Sequence, residues 1–105
     1  MEIIENSVFT RRIKEILSDD EYGQLQRMLV GNPEAGIVIP GGGGLRKLRW
    51  AVSGKGKSGG LRIIYYWYVG EEIIYMLFVY KKSEQKDLTG KQIKVLKEYV
   101  RGGLL

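Results

Sequence analysis

The sequence predicts an α+β domain in which two N-terminal helices pack on a small antiparallel sheet and a C-terminal helix follows. Three observations carry that prediction. Apolar residues recur at helical spacing up to Gly31, alternation and aromatic or β-branched runs replace them from Leu45 to Lys81, and helical spacing returns after Thr89. A length of 105 residues suits one domain, and neither a linker nor an internal repeat divides residues 1–105.

Taken in order, residues 2–5 form a possible short strand. A helix from about Ser7 to Leu17 presents Phe9, Ile13, Ile16 and Leu17 on one stripe. Ser18 with Glu21 is a capping-box pattern, so a second helix starts there and buries Tyr22, Leu25, Met28 and Leu29. Gly31 is expected to end it in a left-handed cap before Asn32-Pro33, and the two helices should form a hairpin. Residues 32–44 read as a loop closing on Pro40 and four glycines. From Leu45 to Val52 the pattern alternates, with Lys47 and Arg49 opposite Leu48 and Trp50. Leu61–Val69 and Ile73–Lys81 are apolar on both faces and therefore central strands, turned at Gly70-Glu71-Glu72. Thr89 and Gln92 make a second capping box. It opens a last helix whose Ile93, Leu96 and Val100 face the sheet, giving one layer of helices on one of strands.

The composition excludes several chemistries. There is no cysteine and no histidine, which removes disulfides, thiolate nucleophiles, imidazole acid–base catalysis and the common zinc ligand sets. No cofactor or metal is expected. The first residues lack the basic end and apolar stretch of a signal peptide, and no run of about 18 apolar residues exists. A cytoplasmic protein without membrane contact is the expectation.

The formal charge of +5 is unevenly spread. Residues 1–44 hold four basic and seven acidic side chains, whereas Arg46, Lys47, Arg49, Lys55, Lys57 and Arg62 stand in residues 45–62 without one acid. A separated basic block suits a polyanion, above all nucleic acid. Gly54, Gly56 and Gly59 imitate a dinucleotide fingerprint, but a strand follows where the pyrophosphate needs a helix N-terminus. Gly56-Lys57-Ser58 imitates the end of a P-loop, with Ala51 in place of its first glycine. A hairpin tip offering Lys55 and Lys57 to a phosphate backbone explains these glycines better.

Period-two spacing puts Lys47 with Arg49, Arg62 with Ile64 and Tyr66, and Tyr80 with Lys82. If the three strands pair, these groups converge at one end of the sheet. Tyr65, Tyr66, Trp67 and Tyr68 read as packing residues rather than stacking platforms. The dense acids, Asp19-Asp20-Glu21, sit at a helix start and offer no competing site.

Gly43-Gly44-Leu45-Arg46-Lys47-Leu48-Arg49 resembles the first basic strand of the RelE superfamily of bacterial type II toxins, in its HigB-like branch. Gly54 to Gly60 followed by Leu61-Arg62-Ile63-Ile64-Tyr65-Tyr66 resembles that branch's hairpin and arginine strand. Val79-Tyr80-Lys81-Lys82-Ser83-Glu84 resembles the end of its last strand. The resemblance implies a RelE/ParE-like fold and a metal-independent endoribonuclease that cuts messenger RNA on the ribosome. The ribose 2′-hydroxyl attacks the adjacent phosphate, leaving a cyclic phosphate and a 5′-hydroxyl. It also implies a cognate antitoxin with a helix-turn-helix, similar to HigA. Carried over by position, Lys47, Arg49, Arg62 and Lys82 (or Lys81, with a slip of one residue) become catalytic residues, Tyr80 joins them as a substitute, and Arg46, Lys55, Lys57 and Lys81 are expected to contact RNA. One departure stands out: some members carry a tyrosine where this chain has Lys86-Asp87-Leu88, so Tyr80 substitutes for it or cations act alone.

Such chemistry does not require histidine. Guanidinium and ammonium groups placed in advance stabilise the charge growing on the phosphate. Crowding by like charges would lower a lysine's pKa and make a base of it, although the sequence does not single one out. Two other readings compete: a non-catalytic toxin of the same fold that poisons a topoisomerase, and an unrelated small nucleic-acid-binding protein.

Overall fold

A computed structural model describes residues 1–52 and 60–102. Along these residues run β1 (Glu2–Glu5), α1 (Ser7–Ile16), α2 (Asp19–Gly31), β2 (Ile37–Val38), β3 (Leu45–Trp50), β4 (Leu61–Tyr68), β5 (Ile73–Lys81) and α3 (Gly90–Gly102). The α+β class expected from the sequence is the class observed.

Each helix begins on a side chain that satisfies free backbone amides. Asn6 Oδ1 accepts from the Phe9 amide at 2.7 Å, and its Nδ2 donates to the Leu77 carbonyl at 2.8 Å, anchoring α1 to β5. Ser18 and Glu21 form the anticipated capping box, with Asp19, Asp20 and Glu21 in the first turn of α2. Thr89 and Gln92 cap α3 reciprocally, both bonds at 3.0 Å. Gly31 is a correction: it is the last residue of α2, and Asn32 ends the helix at φ −150° without a left-handed residue.

The strands form one sheet in the order β1-β5-β4-β3-β2, which places the two doubly apolar strands β4 and β5 inside it. The sheet is larger than expected, and mixed. β1 pairs with β5 in parallel, and β2 lies antiparallel to β3 within the stretch expected to be loop. With two residues, Ile37 67% and Val38 49% exposed, β2 has no pattern that a sequence could display. The glycine run closes the β2–β3 turn, with Gly41, Gly43 and Gly44 all at positive φ. The β4–β5 turn is a single 3₁₀ turn, Val69–Glu71, followed by Glu72 in the left-handed region.

Helices cover both faces of the sheet rather than one, because successive strand residues point to opposite sides and both sides are apolar. Phe9, Ile13, Leu25 and Leu29 of α1 and α2 pack with Leu48, Ile63, Tyr65 and Met76. On the other face Val100, Ile93 and Leu96 of α3 pack with Leu45, Ile64, Tyr75 and Leu77. The expected single layer of helices is therefore two. A bulge at the β4–β5 pair (Ile64 faces Phe78, Tyr65 faces Met76) leaves Leu77 without an opposite partner. From there Val79 falls on the α1–α2 side and Tyr80 on the α3 side.

Candidate active site

The register of the three central pairings builds a row across the α3 face of the sheet. Arg49 of β3 lies directly opposite Arg62 of β4, and Arg62 lies directly opposite Tyr80 of β5. Lys47 stands two residues from Arg49 on the same face, opposite Ile64. Side chains directly opposite in antiparallel strands have Cβ atoms about 4.5–5.5 Å apart, and like charges so placed repel. The two arginines are a standing cost to the fold that an anion held between them would relieve.

Among the described residues neither arginine forms an ion pair, although the Asp87 charge lies close enough for Arg62 to act on it. Arg49 is exposed; Arg62 is half-buried, and its guanidinium donates to the Leu61 carbonyl at 3.1 Å. Among the described residues the ion pairs are Arg12–Glu84 and Lys47–Asp87, each closer than 3 Å. Glu71 and Glu72 flank the turn at the far end of the β4–β5 hairpin and do not reach Arg62.

Tyr80 closes the row. It is 1% exposed, and its hydroxyl has no hydrogen-bond partner among the described residues. The neighbouring Leu88 amide donates instead to Asp87 Oδ1 at 2.9 Å. Burial pushes the Tyr80 hydroxyl above its ordinary pKa and the Asp87 charge adds to this, while Arg62 and the Leu88 amide oppose it. The group is a protonated donor, not a proton acceptor.

Asp87 is the residue that sequence reasoning missed. Its Oδ1 accepts from Lys47 Nζ at 2.9 Å, and its own carbonyl accepts from Gln85 Nε2, which also bonds Gln92 at 2.9 Å. The Lys47 hydrogen bond, then the Leu88 amide, hold its carboxyl below the usual carboxylate range, with Arg62 contributing. A cleft of about 250 Å³ lies here, lined by Lys47, Arg49, Asp87, Ile39, Pro40, Leu88 and Ile93. Residues 45–62 hold no acid, as read from the sequence, but Asp87 reaches Lys47 from the loop after β5. The available signal was the departure at Lys86-Asp87-Leu88. Among the described residues no three acidic side chains gather as a metal site would need.

The remaining candidates are spread around this row. Lys82 is exposed just after β5, its amide donating to the Gly60 carbonyl at 2.9 Å. Lys81 is exposed, opposite Leu61 on the far side of the strand from Tyr80. Arg46 also lies across the sheet, paired with Tyr65, and its guanidinium donates to the Gly36 carbonyl at 2.8 Å. Lys55 and Lys57 lie outside the described residues. The geometry brings together Lys47, Arg49, Arg62 and Tyr80, with Asp87 added, and leaves Arg46 and Lys81 apart.

A family model described as the RelE toxin of the RelE/RelB toxin–antitoxin system matches residues 1–103 of the chain.

Proposed function

The chain belongs to the RelE toxin family of toxin–antitoxin systems, and from that premise we propose that it is a metal-independent endoribonuclease cutting messenger RNA on the ribosome. The observation that carries the reading is the Arg49–Arg62–Tyr80 row, two guanidiniums without an ion pair beside a hydroxyl without a hydrogen-bond partner among the described residues. Arg62 is held by a central strand and offers a planar fork to two oxygens of the scissile phosphate; Arg49 meets the same group from the next strand. Tyr80 supplies a neutral donor behind them. Lys47 borders the cleft and Lys82 the strand end, where both attract the flanking phosphates. Negative charge that grows on the phosphate as the 2′-hydroxyl attacks is met by donors already in place.

Membership of the family implies a cognate antitoxin. In this reading it is a HigA-like helix-turn-helix protein, and the ribosome and message complete the partners. Expression without the antitoxin should arrest growth and generate breaks in translated messages, mapped by primer extension. Breaks that form equally on naked RNA would remove the ribosome from the proposal. Growth arrest with intact messages would favour the non-catalytic toxin of the same fold.

A further inference from the structure

We propose that Asp87 is the general base of the cleavage, taking the proton from the attacking 2′-hydroxyl. The inference rests on the endoribonuclease reading and names the group that reading lacks. A base needs a lone pair, and the site offers few. Histidine and cysteine are absent from the chain. Arginine stays protonated. The Lys47 ammonium donates to Asp87 at 2.9 Å, and an ammonium has no acceptor. Tyr80 is buried with its hydroxyl raised above the ordinary pKa by burial, and Lys82 is exposed and is not among the residues that line the cleft. Among the described residues that leaves the Asp87 carboxylate as the anionic oxygen lining the cleft.

Its position suits the task. Oδ1 is fixed by two donors, Lys47 Nζ and the Leu88 amide, both at 2.9 Å, while Oδ2 accepts no hydrogen bond among the described residues. The Gln85–Gln92 contact and the α3 cap hold the loop that carries it. Facing it are Lys47 and Arg49 of β3, Arg62 of β4 and Tyr80 of β5. As the O2′–P bond forms, the 2′ proton passes to Asp87 and the P–O5′ bond breaks. The electron pair leaves on the 5′-oxygen, which collects a proton from water, and Asp87 returns its own to water. Nothing is oxidised or reduced, and no proton is gained or lost overall.

A carboxylate held below its usual range is ionised throughout neutral pH, so the rate should not depend on pH there. A lysine base would instead accelerate about tenfold per unit. The test is single-turnover cleavage on message-programmed ribosomes from pH 6 to 8, for wild type, Asp87→Asn and Asp87→Glu. Binding of a message with 2′-deoxyribose at the cut site is measured alongside. The wild-type rate should be flat, Asp87→Asn should fall by about 10²–10⁴ with undiminished deoxy-message binding, and Asp87→Glu should recover part. A wild-type rate climbing with pH overturns the proposal, even if Asp87→Asn fails to fold. So does an Asp87→Asn variant that cuts at the wild-type rate, or one whose loss is matched by lost binding. A wild type that cuts no RNA at all removes the endoribonuclease reading, and this inference with it.

Discussion

An arginine in a central strand needs a reason to be there, and Arg62 lies directly opposite Arg49 and forms no ion pair among the described residues. Arg62→Ala should lose about 10²–10³ in cleavage rate, the scale of one transition-state donor, and Arg62→Lys should recover little of it because a point charge lacks the fork. The fold should survive, since the change relieves a like-charge pair. Matching thermal melts with lost toxicity would bear this out, and a collapsed melt would mean that Arg62 is structural. Tyr80 leads to a different expectation. A buried hydroxyl without a partner costs about 1–3 kcal/mol, so Tyr80→Phe should melt no lower than wild type while its cleavage falls about tenfold or more. A variant several degrees less stable would show that the hydroxyl is satisfied in the folded state. Period-two spacing assigns each arginine to a face of its strand, while their standing opposite one another depends on β3 and β4 pairing, which the register supplies. Asp87 could not be read from the sequence, because an isolated acid in a polar loop looks like any solvated charge until the fold brings Lys47 against it.

At the scale of elements, the start of the loop between α2 and β3 is tied down by Tyr65, alongside the Arg46 bond to the Gly36 carbonyl. Tyr65 Oη donates to the Pro33 carbonyl at 2.7 Å and accepts from the Gly36 amide at 2.8 Å. A Cβ on Gly36 would lie 2.7 Å from Tyr65 Cε1 and 2.9 Å from its hydroxyl. Gly36→Ala must displace a buried ring and should destabilise by about 1–3 kcal/mol, roughly 4–8 °C per kcal/mol for a chain of this size. Calorimetry that finds no change would mean that the ring moves freely. The strands β3, β4 and β5 were readable because alternation and doubly apolar runs set their places. The β5 bulge was not, since no residue type marks it, yet it puts Tyr80 beside Arg62. The stripe of α3 named the right residues, Ile93, Leu96 and Val100, but a stripe does not say which face of a sheet it will cover.

Across the whole molecule, the buried tyrosines and the exposed carboxylates make stability respond differently to base and to acid. Tyr65 and Tyr80 are raised above the ordinary tyrosine pKa, first by burial. Tyr22 is raised by burial and then by its hydrogen bond to Glu5, and Tyr75 by burial and then by Glu2. A group whose folded pKa exceeds its unfolded value binds its proton more tightly in the fold. Its contribution is complete below the unfolded value, about 10, and disappears as pH rises through the folded one. On the acid side Glu84 is lowered by the Lys81 amide before Arg12, and Asp87 by Lys47. Their contributions are present above the unfolded carboxylate values, about 4, and are lost as pH falls through the folded ones. Both carboxylates are well exposed, at 43% and 66% of the side chain, so screening leaves each pair worth no more than about 1 kcal/mol. The melting temperature should therefore stay nearly level down to about pH 4, decline only gently below it, and fall steeply above about pH 10. Ultraviolet titration of the seven tyrosines should show a late group that ionises together with loss of the near-ultraviolet circular dichroism signal. If all seven ionise near pH 10 while that signal persists, the hydroxyls are solvated and the aromatic core described above is looser than its packing indicates.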